Sequence, residues 1–464
     1  MHRPFLTASV LALGACAGNS GGPGVAPDTA AFLDTLQQRT FNWFWDLTPP
    51  SNGLTPDRWP TPSFSSIAAV GFALTAYPIG VEHGWITRAQ AADRTLTTLR
   101  FFWTAPQDSA GPNTTGYRGF YYHFLDMQTG YRFQQVELST IDTSLLLGGI
   151  LFAQSYYDGT DTTEKQIRAL ADSIYLRVDW QWAAARPPAV SMGWNPESGF
   201  ISADWIGYNE GMILNILALG SPTHPADTSA WSKWVSGYQW ATYHGQTFVQ
   251  FAPLFGHEYS HVWIDFRGIH DSYMAGKGID YFENSRRAAL SQRSYATANP
   301  QAFSGYGANV WGLTACDGPA NKTLTIGGRS RQFHTYMARG ASSLEEPDDG
   351  TIAPTAAGGA VPFAPEIAIP ALLTMRTTYG AKLFSTYGFL DAFNPTFTAA
   401  GQQETGTVDP QLGWFDVDYL GIDQGPILAM LENYRTGLVW RVMRTNPHII
   451  RGLQRAGFTG GWLP

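Results

Sequence analysis

The chain has 464 residues, a length that suits one large domain or two or three smaller ones. Charged residues make up only 14% of it and the formal net charge is -8, which argues against a nucleic-acid groove because such a groove needs clustered Lys and Arg to neutralise phosphates. Aromatic residues also make up 14%, with 17 Trp and 21 Tyr. Because these side chains combine an apolar face with a polar edge, the composition suits either a large aromatic core or a neutral, hydroxyl-rich ligand.

The N-terminus carries the pattern of a targeting segment. A basic start and a short apolar run lead to the tetrapeptide Leu-Gly-Ala-Cys, which ends at Cys16 and resembles the bacterial lipobox, whose cysteine is lipidated. Residues 17–27, rich in Gly and Pro, are typical of a flexible tether. We therefore expect a lipoprotein signal peptide at 1–16, lipidation at Cys16, and a location in the bacterial cell envelope, either facing the periplasm or in the outer membrane.

From residue 28 onward, hydrophobic periodicity and capping residues predict a succession of helices with few strands. Pro78 is expected to end the second helix, and aromatic and β-favouring residues at 117–132 predict a short hairpin. Helices are expected at 29–46, 63–77, 87–102, 139–157, 163–182, 208–219, 228–240, 256–273 and 278–298, with weaker signals at 366–379, 381–394, 424–434 and 446–456.

This succession predicts an all-α architecture built from packed helix pairs. A closed ring of six helical hairpins, an (α/α)6 toroid, uses this number of helices and leaves a cleft at the end where the loops gather. The long loops, rich in Gly, Pro, Trp and Asn, are of the kind that usually serves function. No linker interrupts 28–464, so we expect a single catalytic domain over that range.

The stretch 255–287 mixes acids, histidines and aromatic residues, which is typical of a cleft. One interpretation is a zinc site, since His257 to His261 match H-E-x-x-H, with Glu258 as general base and Glu283 as a third ligand. The other is a sugar site, in which the same carboxylates and imidazoles bond hydroxyl groups while aromatic rings stack on pyranose faces.

Three acidic residues precede or begin apolar helices. Asp142 falls in the first turn of its predicted helix, where the helix dipole stabilises a carboxylate, and Glu137 lies just before it. Glu210 stands between an aromatic loop and an apolar helix, so we expect it to be desolvated and its pKa to be raised. Glycoside cleavage requires such a pair, one acid to protonate the leaving oxygen and one carboxylate to activate water or attack carbon.

A series of longer motifs carries a family resemblance. In chain order they read SIAAVGFALTAYPIGVEHGWITRAQA, TGYRGFYYHFLDMQTG, ELSTIDTSLLLGG, GWNPESGF, WIGYNEG, LGSPTHP, FRGIHDSYMAGKGIDYFENSRRA, GYGANVWGLTACDGP, DDGTIAP and PFAPEI. The series covers nearly all of 28–463 and resembles the bacterial glucoamylase-like family that includes the endo-β-1,2-glucanases of glycoside hydrolase family 144.

The resemblance implies an (α/α)6 toroid without metal or cofactor that hydrolyses linear β-1,2-glucan to sophorooligosaccharides with inversion. The motif acids are then Glu137, Asp142 and Glu210. Where the family usually has Gln, this chain has Glu258, so the H-E-x-x-H match looks accidental. Substrate-binding residues carried over by position are Tyr122, Trp194, Tyr208, Asn209, His261, Trp263, Asp265 and Asp317.

Within this interpretation Glu210 is the acid and Asp142 the preferred base, with Glu137 second; an inverting pair stands roughly 6.5–9.5 Å apart. A water chain or a substrate hydroxyl could also connect the base to the reaction. The alternatives are an exo-acting, sophorose-releasing hydrolase, a transglycosylase, a zinc metallopeptidase and a non-catalytic glycan-binding lipoprotein. The expected partner is a β-glucan, with no nucleic acid, membrane contact only through the lipid, and a monomeric state.

Overall fold

The computed structural model describes residues 27–464, so the predicted signal peptide, Cys16 and most of the predicted tether lie outside the described residues. Helices dominate the described chain, with one turn of 3-10 helix at Gly380–Lys382. The helices are α1 (Pro27–Leu47), α2 (Ile67–Glu82), α3 (Arg88–Thr104), α4 (Thr140–Tyr156), α5 (Thr162–Leu176), α6 (Trp180–Ala183), α7 (Met212–Gly220), α8 (Ser229–Val235), α9 (Phe255–Trp263), α10 (Ser272–Lys277), α11 (Tyr281–Ala298), α12 (Pro354–Gly359), α13 (Pro365–Tyr379), α14 (Gly421–Arg435), α15 (Leu438–Met443) and α16 (Pro447–Arg455).

The strands are short and lie in the loops between helices. They are β1 (Arg58–Trp59), β2 (Ser65–Ser66), β3 (Gly116–Tyr117), β4 (Phe120–Tyr122), β5 (Phe124–Leu125), β6 (Leu138–Ser139), β7 (Gly193–Asn195), β8 (Gly199–Phe200), β9 (Trp240–Tyr243), β10 (Gln246–Val249), β11 (Ala315–Cys316), β12 (Lys322–Ile326), β13 (Arg329–Phe333), β14 (Met337–Ala338), β15 (Phe384–Ser385), β16 (Gly388–Phe389), β17 (Phe393–Asn394), β18 (Thr407–Asp409), β19 (Gly413–Phe415) and β20 (Tyr419–Leu420). The named strands pair antiparallel, and the largest sheet has the order β3-β4-β6-β7-β8.

The helices form two concentric rings, which confirms the predicted (α/α)6 toroid. The inner ring runs α2, α4, α7, α9, α12, α14 and closes where α14 packs on α2. Around it lie α1, α3, α5, α16, α11 and α13, with α16, from the C-terminal end, packed on α7. Inner helices are covered on both faces; in α7, for example, every residue is buried. Within 27–464, no helix is both long and apolar enough to cross a membrane.

Several helix limits differ from the prediction. The second helix begins after Ser66, which caps it, and continues through Pro78 to Glu82. Proline removes one backbone hydrogen bond there, but the buried surface on both faces of α2 outweighs that loss. The segments 163–182, 228–240 and 256–273, each expected as one helix, are interrupted, and 228–240 ends in a strand.

Two elements of the C-terminal half were misjudged. The helix expected at 381–394 is absent from the described chain, which has a 3-10 turn and the hairpin β15–β16 there; Gly388, at φ +98°, permits the reversal. Conversely, α12 was not predicted, because its sequence PTAAGG has the Pro and Gly content of a loop. It is helical since all six of its residues are buried in the inner ring.

The inner helices direct their N-terminal ends into one cleft. Its walls include Ser66 before α2, Asp142 in α4, Glu210 before α7, Phe255 at the start of α9 and Ile422 in α14. Helix N-termini carry partial positive charge, which stabilises carboxylates placed near them. The toroid therefore gathers its acidic residues at one end.

Candidate active site

The cleft contains two adjoining cavities, which we name the acid cavity and the arginine cavity. The acid cavity, ≈ 190 Å³, is lined by Asp142, Glu210, Ile141, Leu145, Phe255, Tyr259 and Ala315. The arginine cavity, ≈ 350 Å³, is lined by Asp57, Arg58, Phe64, Ser66, Phe124 and Leu420. Both are also lined by His123, Tyr336 and Ile422, so they form one continuous space.

Glu210 faces the acid cavity from the turn before α7. The Asn209 side chain accepts a hydrogen bond from the Gly211 N–H at 2.9 Å, and Ser260 Oγ donates to the Glu210 carbonyl at 3.1 Å, so this turn is fixed from both sides. Burial raises the pKa of Glu210, the charge of Asp142 raises it too, and the backbone N–H of Glu210 lowers it in part. The net pKa is about 7. Near neutral pH the group can thus carry a proton and deliver it.

Asp142 and Glu137 are joined by His123, a residue that the sequence analysis did not select. His123 Nδ1 lies 2.8 Å from Glu137 Oε1, and His123 Nε2 lies 3.5 Å from Asp142 Oδ2. Burial would lower the pKa of His123, but the carboxylates of Asp142, Glu137 and Asp57 outweigh it and raise this pKa to about 9. The imidazolium in turn lowers the pKa of Glu137, against the effect of burial.

Asp142 has a second partner of its own. Ser139, the N-cap of α4, accepts a hydrogen bond from the Asp142 N–H at 3.1 Å and donates to Asp142 Oδ2 at 2.5 Å. The Ser139 hydroxyl and the His123 ring thus hold the Asp142 carboxylate in a fixed orientation at the wall of the acid cavity. Asp142 is therefore suited to accept a proton, whereas Glu210 is suited to donate one, and both line the same cavity.

A second group of acids borders the arginine cavity. Arg58 Nη1 donates to Asp317 Oδ2 at 2.6 Å and lies 3.9 Å from Asp418 Oδ2. Among the residues that the structure describes, three aspartates have the spacing that a cation would need. Carboxylate oxygens of Asp317, Asp416 and Asp418 all lie within 4.8 Å of one another. The Arg58 guanidinium already supplies positive charge to this group. Asp317, which was predicted to lie in the cleft, is therefore found beside the Arg58 guanidinium.

Asp391 and Asp423 extend this group inward. Asp391 Oδ2 accepts from the Asp317 N–H at 2.8 Å. Burial and the neighbouring carboxylates raise the pKa of both Asp391 and Asp423. Buried carboxylates that lie close together resist ionisation, because each negative charge raises the pKa of the others.

Four predicted binding residues line neither of the two cavities. Tyr122 is fully buried beneath the guanidinium of Arg132, 4.8 Å from the ring centre. Tyr208 packs among buried aromatic rings, and Asn209 shapes the turn of Glu210. Trp194 is partly exposed and contacts two other aromatic rings.

The other three are buried, two of them in the helical core and Asp265 just after α9, and they line neither cavity. His261 is fully buried and its Nε2 lies 3.1 Å from Ser285 Oγ. Trp263 is fully buried and donates to Thr75 Oγ1 at 3.0 Å. Asp265 is 1% exposed and forms ion pairs with Arg267 and Arg444. Their role in this geometry is to hold α9 in the ring.

The H-E-x-x-H segment is also part of the core, which disagrees with a zinc site. His257 Nε2 bonds the Phe251 carbonyl at 3.2 Å, and burial lowers the pKa of His257 to about 4. Glu283, the expected third ligand, pairs with Arg287 at 2.8 Å. Glu258 is 2% exposed with one carboxyl oxygen unpartnered among the described residues, and burial raises its pKa well above the usual range.

Comparisons with known proteins identify the family of the chain. The family model Glycoamylase, described as "Putative glucoamylase", matches residues 202–447. The exo beta-1,2-glucooligosaccharide sophorohydrolase (non-reducing end) of Parabacteroides distasonis is 28% identical over 457 residues, which is 91% of this chain but only 57% of that protein, so the chain spans little more than half of its length.

Two solved structures superpose on nearly the whole chain. The "putative glucoamylase" of Bacteroides uniformis is 30% identical, with a TM-score of 0.80 over 95% of this chain and 100% of that one. The endo-beta-1,2-glucanase of Chitinophaga pinensis, solved with sophorotriose and glucose, is 27% identical, with a TM-score of 0.80 over 94% of this chain and 100% of that one.

Proposed function

We propose that this chain, which belongs to the glucoamylase-like family, hydrolyses β-1,2-glucan. Its products are sophorooligosaccharides, because the related proteins from Chitinophaga pinensis and Parabacteroides distasonis bear the names of a β-1,2-glucanase and a sophorohydrolase. The observation that carries the proposal is the raised pKa of Glu210, about 7, in a cavity that it shares with the hydrogen-bonded carboxylate of Asp142. Glycoside hydrolysis requires a carboxylic acid that donates a proton and a second carboxylate that acts as base or nucleophile.

In the proposed reaction, Glu210 donates its proton to the glycosidic oxygen as the bond to the anomeric carbon breaks. Asp142 accepts a proton from the attacking water, with Glu137 as the second candidate for this role. Because the water enters from the face opposite the leaving group, the configuration of the anomeric carbon inverts. His123 holds both candidate bases, so it positions the base whichever of them reacts.

The carboxylates beside Arg58 are the other place from which a base could act, directly or through a water chain. Single Asn variants of Asp142, Asp317 and Asp423, and Glu137→Gln, discriminate between these positions. The variant that lacks the base loses kcat while a small external anion such as azide restores turnover. A missing structural carboxylate gives no such rescue.

Reducing ends measured on linear β-1,2-glucan test the activity, with laminarin, cellulose and starch as controls. We expect hydrolysis of the first substrate alone. NMR of the first product follows the anomeric proton, and retention of configuration would overturn the inverting mechanism.

Endo-action is the proposed mode. It predicts that long chains shorten early and that products of several lengths appear together. Release of sophorose alone from the start would show the exo-acting alternative, and products longer than the substrate would show transglycosylation.

The proposed location is the bacterial cell envelope, with a lipid on Cys16 as the membrane contact and a monomeric catalytic domain. The support is the lipobox-like Leu-Gly-Ala-Cys sequence. Fractionation of cells that express the protein and its Cys16→Ala variant tests the anchor. The variant should leave the membrane fraction, and size-exclusion chromatography reports the oligomeric state.

A further inference from the structure

The cleft continues outward from the arginine cavity through two more cavities. The first, ≈ 470 Å³, shares Phe64 with the arginine cavity, and we name it the phenylalanine cavity. The second, ≈ 590 Å³, shares Asp126 and Gln128 with the phenylalanine cavity, and we name it the amide cavity. Since successive cavities share wall residues, the four cavities lie next to one another in a row from Glu210 to the amide cavity.

Aromatic rings form the floor of the middle of this groove. The Phe64 ring lies 4.2 Å from that of Phe124 and 4.7 Å from that of Phe133, between centroids. All three side chains are partly exposed. Phe124 belongs to the arginine cavity and Phe133 to the phenylalanine cavity, so the row of rings crosses the boundary between them. The exposed parts of this apolar cluster can contact the apolar faces of sugar rings.

The amide cavity offers neutral hydrogen-bonding groups. Asn113, Gln128, Gln134 and Gln135 line it with exposed side chains. A carboxamide both donates and accepts, which matches hydroxyl groups. Within 27–464 these four carboxamides have no hydrogen-bond partner in the protein, so they are available to a ligand.

The wall behind the amides is held rigidly. Arg132 makes a two-point ion pair with Glu197, at 2.6 and 3.1 Å, and its Nε donates to the Val136 carbonyl at 2.7 Å. Asp126 accepts from the Gln128 N–H at 3.0 Å and the Thr129 N–H at 2.8 Å, which fixes the turn that presents Gln128. The nearby charges are thus paired or hydrogen-bonded, and a site formed before binding loses less entropy when it binds.

We propose that the amide cavity is a remote subsite that binds the distal sugars of a long, neutral glucan chain whose reacting bond lies at Glu210. This inference rests on the proposed function and adds to it the recognition of chain length. Short oligosaccharides occupy the acid and arginine cavities and do not reach the amide cavity. Long chains extend past the phenylalanine rings and reach the amide cavity.

The test compares Gln128→Ala/Gln135→Ala with a matched control, Gln38→Ala/Gln239→Ala, which removes exposed glutamines that line none of these four cavities. Each protein is assayed on long linear β-1,2-glucan and on the shortest sophorooligosaccharide that the wild type cleaves. Loss of two hydrogen bonds should raise KM for the long substrate about tenfold, with kcat and the kinetics on the short substrate unchanged. The control variant should match the wild type on both.

Binding of the long glucan is measured separately in the Glu210→Gln background. There the amide substitutions should weaken binding by the same factor, about tenfold. If KM and binding stay unchanged, or if both substrates are affected alike, the remote subsite is overturned while the proposed function stands. If the wild type cleaves no β-1,2-glucan and Glu210→Gln binds none, both the proposed function and this inference are overturned.

Discussion

The pKa of Glu210 gives the sharpest test of the proposed mechanism. A general acid works only in its protonated form, so kcat/KM should fall as pH rises through about 7. From the titration curve, about half of the molecules carry this proton at pH 7 and roughly one in a hundred at pH 9, which predicts a loss of about 50-fold between them. A carboxyl with the ordinary glutamate pKa would instead be protonated in only about one molecule in 300 at pH 7.

The same shift also affects folding. A pKa raised from 4.5 to about 7 corresponds to roughly 3 kcal/mol, favouring the protonated form of the folded state. The contribution to stability is present in full below the unfolded pKa of 4.5 and is lost as pH rises through about 7. Glu210→Gln removes a carboxyl group that the wild type must ionise in a buried place at high pH. The free energy of unfolding of the variant minus that of the wild type should therefore be about 3 kcal/mol higher at pH 9 than at pH 4.

Two measurements check this reasoning. The pH profile of kcat/KM is recorded from pH 5 to 10 on linear β-1,2-glucan, and Glu210→Gln should lose about 10²- to 10⁴-fold in kcat. Denaturant unfolding of both proteins is recorded at pH 4 and pH 9. A flat activity profile up to pH 9, or equal pH dependence of stability in the two proteins, would show that Glu210 is not a desolvated acid.

Three further predictions concern groups around the ring. For His123 the folded pKa of about 9 exceeds the unfolded value of 6.5, so its stabilisation is complete below pH 6.5 and is lost through pH 9; His123→Gln should cost about 3 kcal/mol at pH 6 and little at pH 10 in denaturant unfolding. Arg339 and Asp349 form a buried two-point pair at 2.7 and 2.8 Å, so Arg339→Met should cost about 3–5 kcal/mol, and an additional Asp349→Asn should recover part of this loss. Glu258→Gln should leave kcat unchanged and raise the midpoint of thermal unfolding at pH 9 relative to pH 6, because the buried carboxyl of Glu258 resists ionisation; an equal midpoint shift at both pH values would contradict this.

Local signals in the sequence predicted much of the ring. Thr87 and Ser139 were expected at helix starts, and both are N-caps in the structure. The apolar runs after Asp142 and Glu210 predicted buried helices, which they begin. These features follow from short-range chemistry, capping and hydrophobic burial, which can be recognised within a few neighbouring residues.

Contacts between distant segments could not be predicted in this way. Arg58 and Asp317 are 259 residues apart in sequence and 2.6 Å apart in the structure, and nothing local indicates that they meet. His123 follows two tyrosines in a predicted hairpin, where its neighbours indicate only a strand. It contacts Asp142 because β4 pairs with β6, the strand that leads into α4.

The stretch 255–287 was interpreted as a cleft because it mixes acids, histidines and aromatic residues. The structure shows that a helix of the inner ring, covered on every side, can hold polar groups, several of which have hydrogen-bond partners within the core. Trp263 bonds to Thr75, and His261 bonds to Ser285. Composition alone does not distinguish a satisfied polar core from a binding surface, since both contain the same side chains.

The two proposed catalytic carboxylates lie at the starts of neighbouring inner helices, so the dipoles of α4 and α7 act on them in the same sense. A helix dipole contributes typically about 0.3–1 kcal/mol in favour of a negative charge, which is smaller than the roughly 3 kcal/mol by which burial favours the protonated Glu210. Asp142 differs because the Ser139 hydroxyl donates a hydrogen bond to it and the positively charged His123 ring lies beside it. Glu210 has a hydrogen bond from its own backbone N–H. The proposed division into acid and base therefore rests on the neighbours of each carboxylate and not on their shared position at a helix start.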